Sequence, residues 1–425
     1  MALVRVVRST TTLDTRRAVG CTTGPVARRV FITVAEVSGD KHAAQLIHSL
    51  RQLDPSIIIE GLGGPEMAAA GATLHRNTVT RAAMGWRGAL RAAEVYQMLR
   101  WTRRHFDDHP PDLQIGVDSP SMNFHFARAA HERGIPALQY VAPQLWAWAP
   151  WRMKKLRRWV DHVACILPFE EDYFRAHGVN ATFVGHPLFD ELPPRRETPA
   201  AERFPSRPPV IGLLPGSRKS EAQANFPRLL KTAARIIDAF SDAKFLVPTT
   251  AGTHHTVEQA LKPSAPLTIR KAIEVGQDRF DEMVPRCDLC ITVSGTATLH
   301  VASFGVPMIV VYRANPLVWH AAGRWLVPAR TFALVNLLAK NTEAGVVAGP
   351  GGHTVPEFVP WLGPPDRVAD LAIDYLRHPE RLASQRRALS QLVGALDHPG
   401  ASMNVARLAL GMIRSPETVK AGTDA

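Results

Sequence analysis

Cysteine is scarce in this chain. Its 425 residues hold four, Cys21, Cys165, Cys287 and Cys290, too few and too scattered for a disulfide framework. A reducing compartment fits. Cys287 and Cys290 form a lone C-x-x-C with no second ligand pair, inside a run that reads as a buried strand, so plain core cysteines are expected. Long apolar runs are also missing. Val306 to Tyr312 is strand-length, far short of the roughly 18 residues a membrane span needs. Zinc-finger, homeodomain and other nucleic-acid signatures are lacking, as is a repeat of solenoid period. Acids are the minority charge: 38 Asp and Glu stand against 50 Lys and Arg, a formal net charge of +12. Such a balance favours anionic partners. With nucleic acid set aside, these are phosphorylated ligands or anionic lipid headgroups.

What is present reads as an ordinary globular chain, 46% hydrophobic and 21% charged, long enough for two or three domains. Residues 1–28 are rich in Arg, Thr and Val, with Asp14 as the one acid. A targeting peptide has this composition, but a disordered basic extension is expected. From Arg29 onward, strand-like runs alternate with helical ones. The strands are Arg29–Ala35, Ile57–Leu62, Asp112–Val117, Ala137–Val141, Val163–Leu167 and Thr182–Val184, giving a first α/β domain over 29–190. Residues 191–209 carry six prolines and no periodicity, the composition of a linker. The alternation resumes over 210–365 with strands at Val210–Leu214, Phe245–Val247, Leu289–Val293 and Met308–Tyr312. Helices over 366–425 are expected to return toward the first domain. The fold class is α/β, two Rossmann-like domains facing a cleft, with ligands at the carboxyl ends of the strands.

Several strand-to-helix turns suit particular chemistry. Leu214-Pro-Gly-Ser-Arg218 follows a strand. Gly216 lets backbone approach a ligand, Arg218 offers a planar fork for phosphate oxygens, and Glu221 suits a sugar hydroxyl or a helix cap. Ser294-Gly-Thr-Ala-Thr298 opens a helix, where hydroxyls and bare amides bind anions or serve as an ordinary N-cap. Two such turns in one domain suggest a diphosphate. In the first half, Asp118 ends a buried strand and suits a general base or a turn former. Glu36, before Ser38-Gly-Asp40, suits a cleft contact or a helix cap. Trp146 and Trp148 share one side of an extended segment beside Gln144, which suits sugar or acyl contact, or domain packing. Two basic, aromatic stretches follow the same pattern. Trp151–Trp159 suits anionic lipid or a solvated charged face, and 84–104, with Trp86, Leu90, Met98, Leu99 and Trp101, suits either core contacts or an exposed patch that dips into a bilayer.

Taken in order, these segments resemble the lipid-A-disaccharide synthase family, from about Val34 to Glu357. The resemblance is carried by Glu36-Val-Ser-Gly-Asp40, Gly61-Leu-Gly-Gly-Pro65 with Met67, Met84-Gly85 and Asp118-Ser-Pro120 with Asn123. It continues through Tyr140-Val-x-Pro-x-x-Trp-Ala-Trp148, Leu167-Pro-Phe-Glu170, Val184-Gly-His-Pro187, Leu213-Leu-Pro-Gly-Ser-Arg218, Ser294-Gly-Thr-Ala-Thr298 and Asn336-Leu-Leu-Ala339. It implies the GT-B architecture and a hexosyltransferase that uses no metal and no cofactor. The implied reaction moves 2,3-diacylglucosamine from UDP-2,3-diacylglucosamine to 2,3-diacylglucosamine 1-phosphate with inversion, giving a β-1,6 disaccharide 1-phosphate and UDP.

The implied roles follow the matched positions. Asp118 and Arg218 are catalytic. Arg218, Glu221, Ser294, Gly295, Thr296, Ala297, Thr298, His300 and Asn336 hold the UDP-sugar. Glu36, Ser38, Asn123, Gln144 and Trp146 line the acceptor side. Trp86, Leu90, Leu99 and Trp101 touch the membrane. The implied setting is cytoplasmic, peripheral on the anionic inner-membrane surface, with a second copy of the chain as a candidate partner. Three positions depart from the family pattern. His300 stands where the family has glutamate, Ser121 where it has a second aspartate, and Ala35 where it has glycine. They leave three alternatives open: a GT-B enzyme on another lipid-linked sugar, a UDP-sugar epimerase, or a nucleotide-sugar-binding relative without turnover.

Overall fold

The computed structural model describes residues 27–79, 88–147, 149–191, 204–264, 266–313, 333–341, 354–394, 396 and 400–413. Short runs of Val, Ile, Leu and Ala form a seven-stranded parallel sheet. Its strands are β1 (Arg29–Thr33), β2 (Ile58–Gly63), β3 (Thr73–Asn77), β4 (Leu113–Val117), β5 (Ala137–Tyr140), β6 (His162–Cys165) and β7 (Ala181–Phe183). The spatial order is β3-β2-β1-β4-β5-β6-β7. The second sheet holds β8 (Val210–Leu214), β9 (Lys244–Thr249), β10 (Ile273–Gln277), β11 (Leu289–Val293), β12 (Met308–Val311) and β13 (Glu357–Phe358), in the order β10-β9-β8-β11-β12-β13. All recorded pairings are parallel. Central strands of such sheets are covered on both faces and read as near-continuous apolar runs. β4 and β11 are accordingly buried at every residue.

Four helices of the first unit matter for the site: α1 (Val37–Leu53), α2 (Pro65–Ala69), α3 (Gly88–Asp108) and α4 (Pro120–His131). On one face, Val30, Ile32, Ile115 and Val117 pack with Ala43, Leu46, Ile47 and Leu50 of α1. On the other, Phe31 and Leu62 meet Phe106 of α3 and Phe126 of α4. In the second unit, Cys287 and Cys290 are buried core residues.

The C-terminal helices divide between the two units, where a single returning block was expected. Asp366–Arg377 packs on Lys219–Ala239 of the second unit, and Pro379–Gly394 on Thr296–Ser303. Only Ala401–Met412 crosses, laying Val405, Ala406 and Ala409 onto the α1 core. Its first turn is held by Asp190, whose carboxylate accepts from the amides of Gly400 (2.6 Å), Ala401 (3.0 Å) and Ser402 (2.9 Å). A carboxylate at a helix N-terminus satisfies orphan donors and opposes the dipole. Among the described residues no helix is long and apolar enough to cross a membrane.

Candidate active site

Strand order reverses between β1 and β4 in the first sheet and between β8 and β11 in the second. Open α/β sheets bind ligands in the crevice at such reversals, outside the carboxyl ends of the strands. Glu36 and Asp118 follow β1 and β4. Arg218 and Ser294 follow β8 and β11.

The first crevice is strained. Asp118 has φ 52° and Ser119 φ 39°, while Val141 (63°) and Ala149 (55°) flank the segment after β5. The left-handed region costs a non-glycine residue about 1–2 kcal/mol, and a β-branched residue there is a real outlier. Among the described residues only Asp278 shares this conformation without being glycine. Strain gathered in one place persists only when its surroundings over-determine it.

Buried amides supply that constraint. Gln114 Nε2 donates to Thr33 Oγ1 (3.0 Å), which donates to Asn123 Oδ1 (2.9 Å). Asn123 Nδ2 donates to the carbonyls of Val117 (3.1 Å) and Asp118 (2.6 Å). Gln139 Nε2 reaches the carbonyls of Asp118 (3.1 Å), Tyr140 (3.2 Å) and Val141 (3.3 Å), tying the ends of β4 and β5 together. All four side chains are at most 2% exposed. The Asp118 carboxylate itself is half-buried, and among the described residues it has no hydrogen-bond or ion-pair partner.

Asp40 links two of the sequence motifs. Its carboxylate accepts from the amides of Gly64 (2.8 Å), Glu66 (3.0 Å) and Met67 (3.4 Å), capping α2. A Cβ on Gly64 would lie 2.2 Å from Asp40 Oδ2, so only glycine admits the carboxylate.

In the second crevice, Gly216 has φ 114° and its missing Cβ leaves room for Glu221, which a Cβ would approach to 2.6 Å. Glu221 accepts from Arg218 Nη1 (3.0 Å) and from the Arg218 amide (3.4 Å), closing the first turn of Lys219–Ala239. The Arg218 side chain is 67% exposed and reaches across to Glu36, Nη2 to Oε2 at 3.5 Å. Burial works against its charge, and the two carboxylates outweigh it, raising its pKa. The guanidinium fork thus stands at the seam, paired with Glu221 beside it and with Glu36, 182 residues away in sequence. The Ser294–Thr298 turn opens the helix Thr296–Ser303, with Gly295 at φ 147°. Thr298 is buried and its hydroxyl donates to the Gly295 carbonyl (2.8 Å). Ala297 is half-buried, and the Thr296 side chain lies outside the described residues.

Several expected contact residues have structural employment. Asn123 is spent on the Asp118 turn, as above. Asn336 Nδ2 donates to the Val355 carbonyl (2.7 Å) and Glu357 Oε1 (2.6 Å), and its Oδ1 accepts from the Val355 amide (2.9 Å), so it ties Leu334–Asn341 to the β13 edge. His300 lies 2.8 Å from Asp281 Oδ1 and is stacked between Phe280 and Phe304, 4.4 and 5.3 Å between ring centres. Burial lowers its pKa against the pull of Asp281. Trp146 packs at a core cluster that joins Leu167 and Leu188 of the first unit to Leu214 and Leu299 of the second, the domain-packing alternative. Ser38 and Gln144 remain exposed. Leu99 and Trp101 turn inward, half-buried against Phe31 and Phe106. Trp86, Trp148 and the Leu90 side chain lie outside the described residues. The exposed aromatics of these stretches are Tyr96 (63%) and Trp151 (60%).

Sequence reasoning missed Gln114, Gln139 and Glu170 as positioning residues. The signal was available for the first two, since a polar residue inside an all-buried strand needs a partner. Glu170 is 1% exposed. It accepts from Trp146 Nε1 (3.1 Å) and the Leu167 amide (3.2 Å). Burial pushes its pKa up to about 8 against these bonds.

Residues 30–346 match the family described as lipid-A-disaccharide synthetase. The chain belongs to the lipid-A-disaccharide synthase family. The lipid-A-disaccharide synthase of Geobacter sulfurreducens is 33% identical over 392 residues, 91% of this chain and 98% of that protein. That of Anaeromyxobacter sp. (strain K) is 34% identical over 392 residues, 91% and 98% of the two chains. Among solved structures, the glycotransferase of kitacinnamycin superposes with a TM-score of 0.60 at 16% identity, covering 92% of this chain and 100% of that one. UDP-GlcNAc 2-epimerase from Neisseria meningitidis, bound to UDP-GlcNAc, gives 0.52 at 11% identity, covering 91% and 98%. These distant likenesses establish the GT-B fold alone, which transferases and epimerases share. Family membership assigns this chain to lipid A disaccharide synthesis.

Proposed function

We propose that this member of the lipid-A-disaccharide synthase family transfers 2,3-diacylglucosamine from UDP to the 6-hydroxyl of 2,3-diacylglucosamine 1-phosphate. The observation that carries the site assignment is the strained Asp118–Ser119 turn, held by four buried side chains with its carboxylate unpaired. Asp118 accepts the proton of the acceptor hydroxyl as its oxygen attacks the anomeric carbon. The bond to the diphosphate breaks on the opposite face, and UDP departs with the electron pair. Arg218 and the amides opening Thr296–Ser303 stabilise the charge that develops on the diphosphate. When substrate enters, phosphate oxygens replace Glu36 on the guanidinium fork. Glu36, once released, faces the acceptor with Ser38 and Gln144. The net charge of +12 and the exposed Tyr96 and Trp151 support a peripheral seat on an anionic lipid surface.

The test is direct. Purified protein is given UDP-2,3-diacylglucosamine and the acylated sugar 1-phosphate in mixed micelles, and UDP and disaccharide are measured. Both products are expected in equal amounts. No UDP release would defeat the proposed reaction. Asp118→Asn that folds and keeps near-full turnover would defeat the base assignment alone.

A further inference from the structure

Away from the crevices, three potential ligands converge under α3. Glu60 on β2, His75 on β3 and His105 on α3 each offer one atom, all within 4.8 Å of one another. His75 Nε2 lies 2.9 Å from Glu60 Oε2, and His105 Nε2 lies 3.2 Å from Oε1. The side chains are 8% (Glu60), 10% (His105) and 24% (His75) exposed. His105 Nε2 is buried and close to the carboxylate but poorly aligned for a hydrogen bond to it, so its lone pair has no well-directed partner among the described residues.

We propose that Glu60, His75 and His105 form a structural site for a divalent transition metal, best matched by Zn2+. Two imidazoles and a carboxylate are a common zinc donor set. With metal–ligand bonds of about 2.0–2.1 Å, ligands around a tetrahedral ion sit about 3.3 Å apart, a spacing that the two histidine–carboxylate pairs already have at 2.9 and 3.2 Å, while the spread of the three atoms, within 4.8 Å, closes by side-chain rotation. The histidine rings are already packed. Trp101 stacks on His105 at 4.8 Å and 14° and lies 4.6 Å from His75. Phe31 stacks on His75 at 6.3 Å and 14°. Arg29 Nη1, 3.2 Å from Glu60 Oε1, can hold the carboxylate oxygen that does not coordinate, an outer contact that orients the ligand. Water completes the shell, or His109, one helical turn beyond His105 with its ring 5.4 Å away. The ion would cross-link β2, β3 and α3, fastening the basic helix to the sheet. The assignment does not rest on the reaction proposed above.

Cobalt titration of the metal-stripped full-length protein tests it. One equivalent of Co2+ is expected to give the visible d–d absorption of a low-coordinate nitrogen–oxygen site, and one equivalent of Zn2+ to abolish it. Zn2+ should raise the thermal midpoint of the wild type. His75→Gln, on an edge strand, and His105→Gln should each weaken binding by more than the roughly 10–100-fold that losing an outer-shell partner of a ligand costs. Their circular dichroism should match the wild type. Failure of wild-type protein to bind Co2+ or Zn2+ stoichiometrically overturns the proposal, whatever the variants do. Undiminished binding in a folded His75→Gln/His105→Gln double variant also overturns it, by placing the ion on other histidines.

Discussion

The two crevices solve the same geometric problem with different residues. Both need a chain that leaves a strand and reverses sharply at its carboxyl end. At the β8/β11 reversal of the second unit the left-handed positions are glycines, Gly216 and Gly295. In the first they are Asp118 and Ser119, with Val141 and Ala149 nearby. A phosphate is met by backbone amides and a long cation, so a turn that binds it needs no side chain at the reversal. A base must be a side chain at a fixed point, and the strain of placing it there is met by Gln114, Thr33, Asn123 and Gln139 beneath. Glycine frees a backbone to approach a ligand, while a braced non-glycine turn aims a group at one.

The largest expected effect lies at the aimed group. Asp118→Asn keeps the size and removes the base, and should lower kcat about 10²–10⁴-fold with the melting temperature little changed. Arg218→Lys, on the other side, keeps the charge and loses the fork. It should cost about 10–10³-fold in kcat/KM, within the range for removing one donor from developing charge. If the Arg218 loss exceeded the Asp118 loss, the division between an aimed base and an approachable cation would fail.

Much of this division was legible beforehand. The buried strands were found because both-face burial makes them mostly apolar, with few polar residues such as Gln114 and Gln139 to interrupt the pattern. The edge strands β3, β10 and β13 were not, because Thr73–Asn77 and Ile273–Gln277 carry polar and charged residues on open faces and Glu357–Phe358 is two residues long. The turn positions of Asp118, Arg218 and Ser294 could be read from their place after strands. The employment of Asn123, Asn336 and His300 could not. Asn123 is fixed in part by Thr33, 90 residues away, Asn336 by Val355 and Glu357, 19 and 21 residues away, and His300 by ring packing, which spacing along the chain does not reveal. Leu99 and Trp101 show the same limit. An amphipathic pattern marks an apolar face without saying whether protein or lipid covers it.

Acid should weaken the first unit where Ala401–Met412 docks on it. Burial, the nearby charge of Lys41 and partial relief from Asp190 leave His42 lowered to about 4, and burial lowers His186 to about 3. Both flank Asp190 and so the docking of Ala401–Met412. Their unfolded value is near 6.5, so above that pH folding changes no proton at these rings. As the pH falls below it, the unfolded chain takes up protons that the folded chain refuses, and stability is lost down toward the folded values. The loss should reach roughly 2 kcal/mol per histidine at pH 5. Denaturant melts at pH 7 and 5 measure it. His186→Gln should flatten the slope, and a slope unchanged by that variant would remove this histidine as its source. Asn123→Ala takes away two bonds to the strained turn and leaves Thr33 without its acceptor. It should destabilise by about 1–3 kcal/mol and lower kcat more than it raises KM, because the aim of Asp118 loosens.

The smallest effect is the most discriminating. Ser119 is left-handed at φ 39°, its hydroxyl is buried, and it has no hydrogen-bond partner. Nothing in its side chain offsets the conformation. Ser119→Gly should therefore raise stability, since relief of the left-handed penalty outweighs the greater freedom of the unfolded glycine, for a net gain of about 0.5–1 kcal/mol. Asp118 stays braced by Asn123 and Gln139 in that variant, so kcat should hold within about twofold, about 0.4 kcal/mol. A stabilised enzyme with unchanged turnover would locate the aim in the buried amides. A stabilised enzyme that lost turnover would locate it in the strain of the second turn residue, and the braced base would have to be redrawn as a sprung one.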